Sequence, residues 1–218
     1  MKELFSGIFL KDDRLMTENS VPGYRPFDED IVKVNKKEFR VWNPHRSKLG
    51  AAIVKGIKTV PISEGTKVLY LGAAHGMTPS FIANIVKEKG LVYAVEFSER
   101  CFNELLPLCK KYTNIVPILA DSRKPELYQW IEKVDVVYVD IAQPDETEIA
   151  IRNCKEFLKP KGFLMMAVKS RSIDITKSPG RIYKEELAKL KADFEIVDWK
   201  TLDPLEKAHA FIVARSKA

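Results

Sequence analysis

The 218-residue chain is 45% hydrophobic and 30% charged, the balance of a globular protein with one full core and room for a small second unit. No apolar run approaches the roughly 20 residues of a membrane span, and the N-terminal Met-Lys-Glu-Leu-Phe has no signal-peptide layout. A net charge of +6 favours a polyanionic partner without demanding one, and three cysteines (Cys101, Cys109, Cys154) point to a reducing cytoplasm rather than a disulfide framework.

Residues 1–46 read as a small antiparallel β domain. Residues 4–10 and 14–17 flank a polar Lys11-Asp12-Asp13 turn, and 31–34 and 38–42 flank Asn35-Lys36-Lys37. Residues 21–27, with two prolines and a glycine, read as loop. Ser47 is placed to cap a helix from Lys48 to about Lys58, which opens a second domain over 47–218.

From residue 68 strand and helix alternate. Residues 68–71 are a short apolar run of the kind a buried parallel strand shows, and Gly72 and Gly76 close a side-chain-poor loop after it. Thr78 suits a helix cap, Pro79 the first helical position, and Gly90 a left-handed stop after a helix running to about Lys89. Strands are expected at 91–95, 115–119, 134–139 and 163–168. A helix over 98–111 carries Phe102, Leu105, Leu106 and Cys109 on one face, and Pro125 opens a short one. Asp145 and Glu148 resemble a capping box for a helix through Leu158, ended by Pro160 and Gly162. A helix over 181–191 and strands at 195–199 and 210–213 complete the chain. The last two strands are joined by a loop too short for a parallel crossover of about a dozen residues, so they should pair antiparallel. The expectation is a doubly wound, mostly parallel α/β sheet of the Rossmann-like methyltransferase type, binding ligands at the carboxyl ends of its strands.

The glycine spacing narrows the ligand. A dinucleotide loop wants G-x-G-x-x-G so that bare backbone approaches a pyrophosphate, whereas Gly72 and Gly76 have three residues between them and no third glycine follows. That fits an adenosine without a phosphate, such as S-adenosylmethionine, better than NAD. Glu96, about 20 residues past Gly76, is placed to accept hydrogen bonds from a ribose diol. Asp121, after the next strand, suits an adenine amine or simply a turn before a helix. Asp140 follows four apolar residues at the expected crevice, where core packing does not explain it, and there it would orient or deprotonate an acceptor hydroxyl. Lys169 ends the neighbouring strand, and only its place opposite Asp140 lifts it above a solvated charge. His209 opens the last strand and, taken singly, reads as a structural histidine. His45, His75 and His209 lie far apart and no cysteine pair has ligand spacing, so no metal site is expected.

Four stretches carry a resemblance: Trp-Asn-Pro-His-Arg-Ser-Lys-Leu-Gly-Ala-Ala-Ile53, Val-Leu-Tyr-Leu-Gly-Ala-Ala-His-Gly76, Val-Asp-Ile-Ala-Gln-Pro-Asp145 and Lys-Ser-Arg-Ser-Ile-Asp174. They resemble the signature stretches of fibrillarin, the methyltransferase of box C/D guide ribonucleoproteins, and the match runs almost end to end. The absence of a Gly/Arg-rich N-terminal tail resembles the archaeal form. The resemblance implies S-adenosylmethionine as donor and a ribose 2′-hydroxyl of rRNA or tRNA as acceptor. It implies a catalytic set of Lys48, Asp140, Lys169 and His209. Cofactor contacts would fall on Gly72, Ala73, Met77, Thr78, Glu96, Phe97, Asp121, Ser122 and Asp140, Ile141, Ala142, Gln143. The family often has Thr where Met77 stands, His where Phe81 stands and a small residue at His75. Implied partners are a guide RNA, a Nop-domain scaffold protein and a kink-turn-binding ribosomal-type protein, with no membrane. Arg46, Arg171, Lys177 and Arg181, with Lys55 and Lys58, lie near the expected mouth and suit RNA phosphates. Two other readings compete: a catalytically silent RNA-binding subunit with the same fold, and an NAD-dependent dehydrogenase.

Overall fold

A computed structural model describes residues 1–218. The N-terminal strands β1 (Lys2–Phe5), β2 (Ile8–Lys11), β3 (Arg14–Glu18), β4 (Ile31–Val34) and β5 (Lys37–Val41) form an antiparallel sheet in the order β1-β2-β3-β5-β4. Two of its hairpins turn on two residues at positive φ, Asp12-Asp13 and Asn35-Lys36, the geometry whose twist matches the strands it joins. The stretch 4–10, expected as one strand, is two. Gly7, at φ +71, lets the chain reverse between β1 and β2.

The second sheet contains β6 (Lys67–Leu71), β7 (Leu91–Glu96), β8 (Ile115–Leu119), β9 (Val134–Val139), β10 (Leu158–Lys169), β11 (Phe194–Thr201) and β12 (His209–Ser216) in the order β11-β12-β10-β9-β6-β7-β8. Strands β6 to β10 run parallel; β12 is antiparallel to both β10 and β11, as the short linker required. The helices are α1 (Lys48–Val54), α2 (Met77–Val86), α3 (Glu99–Cys109), α4 (Glu146–Phe157), α5 (Ser170–Ile173) and α6 (Pro179–Leu190). Because strand side chains alternate, each strand feeds both layers. Val68 and Tyr70 join α1, α2 and α3 in one core, whereas Leu69 and Leu71 join α4 and α6 in the other. No helix is long and apolar enough to cross a membrane.

Several boundaries differ from expectation. Helix α1 stops at Val54, short of Lys58. Gly76, left-handed at φ +88, caps α2, so Thr78 and Pro79 lie inside the first turn, where a missing N–H costs nothing. Helix α2 ends at Val86, because the Asn114 side-chain amide donates to the carbonyls of Ala83 and Lys87 at 2.9 and 2.8 Å. Gly90 is therefore not a left-handed stop. It is there because a Cβ would overlap Val86 and the Thr66 carbonyl. On α3 the fully buried positions are Leu105 and Leu108; Phe102, Leu106 and Cys109 are half-buried. Asp145 forms no capping bond, because Arg123 takes its carboxylate at 3.0 and 2.6 Å. Strand β10 begins at Leu158, absorbing Pro160 and Gly162 in an irregularity before Phe163. The short α5 was not expected.

The two sheets meet through α2. Trp42 stacks on Phe81 with ring centroids 4.7 Å apart. Arg40, fully buried, pairs with Glu29, donates to the Tyr112 hydroxyl at 2.7 Å and to the Ser80 hydroxyl, and lies over the Phe81 ring.

Candidate active site

Strand order reverses between β6 and β9, since β7 and β8 extend from one side of β6 and β10 from the far side of β9. Open parallel sheets bind ligands at such a switch point, beyond the carboxyl ends of the strands. The Asp140 N–H donates to the Leu71 carbonyl at 2.9 Å, closing the two strand ends together. Gly72, at φ +85, sits so close that a Cβ there would overlap the Asp140 carbonyl oxygen. Glycine is required at this crossing both by conformation and by space.

Two cavities of about 230 Å³ open there and share Gly72, Ala74 and Asp140. The first is lined by Glu96, Phe97, Asp121, Ser122, Arg123, Ile141, Ala142, Gln143 and Ile149. The second is lined by Phe27, Arg46, Lys48, Tyr70, Ala73, His75, Met77, Thr78 and Pro79. Every position expected at a cofactor lines one or the other. A larger hollow of about 430 Å³ lies away from the strand ends, beside Glu64, Lys87 and Asn114. Its Lys37 and Lys87 are already paired with Glu18 and Glu64, and nothing converges there for chemistry.

Glu96 is fixed by two loop amides, accepting from Ala74 at 2.8 Å and from Ser98 at 2.9 Å. Asp121 accepts the Arg123 N–H through Oδ1, which leaves Oδ2 without a partner. Phe97 is 67% exposed at the rim. The Thr78 hydroxyl lies 3.0 Å from that of Ser47, which also caps α1, so the first turn of α2 is braced against α1.

Asp140 forms an ion pair with Lys48 at 3.3 Å. Burial works against the Lys48 ammonium, but Asp140 and Glu206 more than offset it and raise Lys48 above the ordinary lysine range. Lys169 and His209 are brought side by side as cross-strand partners of β10 and β12. Lys169 makes no ion pair, and neither residue lines the two cavities. His209 Nδ1 lies 2.8 Å from the Lys207 carbonyl, while Nε2, buried, has no partner. Beneath Asp140, Tyr70 and Tyr138 stack with centroids 4.4 Å apart, and burial followed by the neighbouring negative charge holds the Tyr70 phenol neutral far above its usual range.

Of the expected RNA contacts, Arg46 lines the second cavity and donates to the Phe27 carbonyl at 3.2 Å. Arg171, Lys177 and Arg181 lie on the segment after Lys169, outside both cavities. Lys177 and Arg181 share Glu185 at 2.7 and 3.0 Å.

Tyr70, Tyr138, Arg123 and the fully buried Glu146 were not singled out from the sequence. The tyrosines sit inside apolar strand runs, and Glu146 falls between Asp145 and Glu148, the two residues expected to form a capping box. Arg123, two residues after Asp121, left no local signal.

The family model described as Fibrillarin matches residues 1–218. The chain is 53% identical over 206 residues to the fibrillarin-like rRNA/tRNA 2′-O-methyltransferase of Sulfurisphaera tokodaii, covering 94% of this chain and 88% of that one. Among solved structures it is similar to Aeropyrum pernix fibrillarin with natively bound S-adenosyl-L-methionine (TM-score 0.88, 43% identity, 95% and 94% covered). It is also similar to a chain of a fibrillarin/Nop5p complex (TM-score 0.91, 41% identity, 99% and 100% covered).

Proposed function

The chain belongs to the fibrillarin family, and from that premise we propose that it methylates ribose 2′-oxygens of rRNA and tRNA as the catalytic subunit of a box C/D guide ribonucleoprotein. The single observation that carries this reading is the Lys48–Asp140 ion pair at the junction of two cavities, over the switch point of the sheet.

The residues fit S-adenosylmethionine. The cavity beside Glu96 and Asp121 offers two carboxylates with free acceptor capacity, Glu96 for a ribose diol and Asp121 with Ser122 for an adenine amine, and Phe97 gives an exposed ring at its edge. Ile141, Ala142 and Gln143 form the opposing wall, and Gly72, Ala73, Met77 and Thr78 would take the amino-acid end. When bound, this donor supplies an electrophilic methyl group on a sulfonium.

The chain's own residues then have to hold the acceptor oxygen and take its proton. A ribose hydroxyl is a very weak acid, so a carboxylate generates little alkoxide from it in advance. Asp140 instead accepts the proton as the new O–C bond forms and the methyl–sulfur bond breaks to leave a neutral thioether, and alignment supplies much of the rate. The Lys48 and Lys169 ammonium groups stabilise the negative charge developing on that oxygen. His209, its Nδ1 committed to the Lys207 carbonyl, keeps Nε2 available to orient Asp140 or to receive its proton.

In this reading residues 47–218 are the methyltransferase unit and 1–46 an appended β domain, and the protein works in the cytoplasm. Arg46, Arg171, Lys177 and Arg181 hold substrate phosphates, the last two exchanging Glu185 for RNA. The relative bound to Nop5p supports a Nop-domain scaffold partner. A guide RNA and a kink-turn-binding ribosomal-type protein complete the particle and select the target.

Labelled methyl transfer in the reconstituted particle, with mapping of the modified nucleotide, tests the proposal. Label on a ribose at the guided position is expected. No transfer from a particle that binds S-adenosylhomocysteine would support the silent-subunit reading instead, and binding of NADH in its place would support the dehydrogenase.

A further inference from the structure

The methyl transfer makes no use of Glu146, the first residue of α4, although its side chain is entirely buried. Its Oε1 accepts the Lys169 backbone N–H at 3.2 Å, and its Oε2 has no partner. Three elements set charged groups against it: Asp140 beyond β9, Lys169 at the end of β10, and Glu186 of α6, itself paired with Lys189 at 3.0 Å. A third negative carboxylate in so dry a space would be strongly disfavoured. Burial, opposed by the Lys169 N–H bond and reinforced by Glu186 and Asp140, raises the Glu146 carboxyl to about 9. It is neutral at pH 7.

We propose that Glu146 is a positioning residue, a buried wedge whose carboxyl fixes the backbone carrying Lys169 beside Asp140. The geometry suits the task. The carboxyl reaches from a helix start to the last residue of the neighbouring strand, and only its hydrogen-bonding capacity, not its charge, is used. The inference rests on the assignment of Asp140 and Lys169 to the reaction.

The test compares Glu146→Gln and Glu146→Leu with wild type in the full chain. In the assembled particle Glu146→Gln should keep kcat within about 3-fold, whereas Glu146→Leu should lose about 10-fold or more in kcat at unchanged cofactor KM, as expected for a misplaced catalytic group. A Glu146→Leu variant with wild-type kcat would overturn the proposal, as would a Gln variant as impaired as Leu. Thermal melting of the isolated chain gives a readout free of turnover. The unfolded glutamate loses its proton near pH 4.3, by the reference value, and the folded one near 9, so wild type loses stability as pH rises between them. The Tm of Glu146→Gln relative to wild type should therefore climb from pH 5 to pH 8. A difference that does not change with pH would overturn the neutral-wedge assignment. If wild type transfers no methyl, the functional reading fails, but the melting series still decides the state of Glu146.

Discussion

Two ion pairs in this molecule look alike on paper and differ in every physical respect. Arg40 and Glu29 meet at the seam between the sheets with side chains 0% and 7% exposed. Tyr112, Ser80 and the Phe81 ring take up the rest of the guanidinium's capacity. Lys48 and Asp140 meet at the mouth of the second sheet, 26% and 18% exposed, with cavities on either side and acceptor capacity left over. The first pair is closed: each polar atom has a protein partner, and the groups do nothing but hold two layers in register. The second is open, and the unused lone pairs of Asp140 are what a substrate hydroxyl would occupy. Satisfied burial marks structure here, and unsatisfied placement marks chemistry.

The comparison predicts that the two sites fail in different ways. Asp140→Asn should give the largest effect, about a 10³-fold loss of turnover, since the proton acceptor is gone. Calorimetry should find S-adenosylhomocysteine affinity within about 3-fold of wild type, and Tm should barely move because a partly exposed pair contributes about 1 kcal/mol or less. A variant that methylates at a comparable rate would remove Asp140 from the reaction. Next in size is Arg40→Met, which strands the Glu29 carboxylate in a dry seam. Removing one partner of a buried pair costs about 3 kcal/mol, so denaturation should show a Tm lower by about 6–12 °C. Turnover per folded molecule should stay within about 2-fold of wild type. If Arg40→Met instead abolished turnover in folded protein, the division between holding and reacting would be wrong.

How much of this was legible beforehand depends on how local each signal is. Asp140 stood out because an acid directly after an apolar run has no use in the core. Glu96 stood out because the distance from the glycine loop is set by one βα unit. The antiparallel end of the sheet followed from a linker too short to cross it. Lys169 and His209 were different. Single residues at strand ends carry no signal, and what brings them together is a register between strands separated by α5, α6 and β11. Lys169 was lifted only by its place opposite Asp140, and His209 only by the family resemblance. Glu146 was hidden because its neighbour Asp145 satisfies the pattern of a cap. The fold defeats that cap through Arg123, which comes from another loop. The end of α2 escapes a local reading for the same reason, since the group that terminates it, Asn114, lies beyond the next strand and helix. Local chemistry was readable from the sequence, whereas competition for a group by a distant partner was not.

Within the open site, Lys48→Gln should cost about 10- to 100-fold in kcat, less than the loss of Asp140, because Lys48 stabilises charge without accepting the proton. The raised Lys48 ammonium also sets a pH limit. With its folded pKa above the unfolded value, its ion-pair contribution is intact below about pH 10.4 and lost as pH rises through the folded value. Wild-type turnover should therefore not fall through Lys48 between pH 7 and 9, and a pH profile of the Gln variant should show a uniform reduction over that range. A variant that matched wild type at every pH would reduce Lys48 to a surface cation.

The smallest effect is expected at Glu96, where the two kinds of site overlap. Its carboxylate already accepts from the Ala74 and Ser98 amides, as a structural group would, yet it also lines the cavity, as a binding group would. The Ala74 amide uses Oε2 and the Ser98 amide Oε1, so Glu96→Gln, which turns one of these oxygens into an amide that cannot accept, leaves the two loop amides and the ribose diol to compete for the oxygen that remains. If the loop amides hold the remaining oxygen, the ribose diol loses its partner. Cofactor Kd should then rise about 10-fold, the cost of a charge-assisted hydrogen bond, with Tm within about 2 °C of wild type. If the loop loses instead, Tm should fall and Asp140 chemistry should suffer as well, because Gly72 and Ala74 border both cavities. Calorimetry and melting on the same sample separate the outcomes: a lower Tm with unchanged affinity would place Glu96 with Arg40, among the residues that only hold the fold.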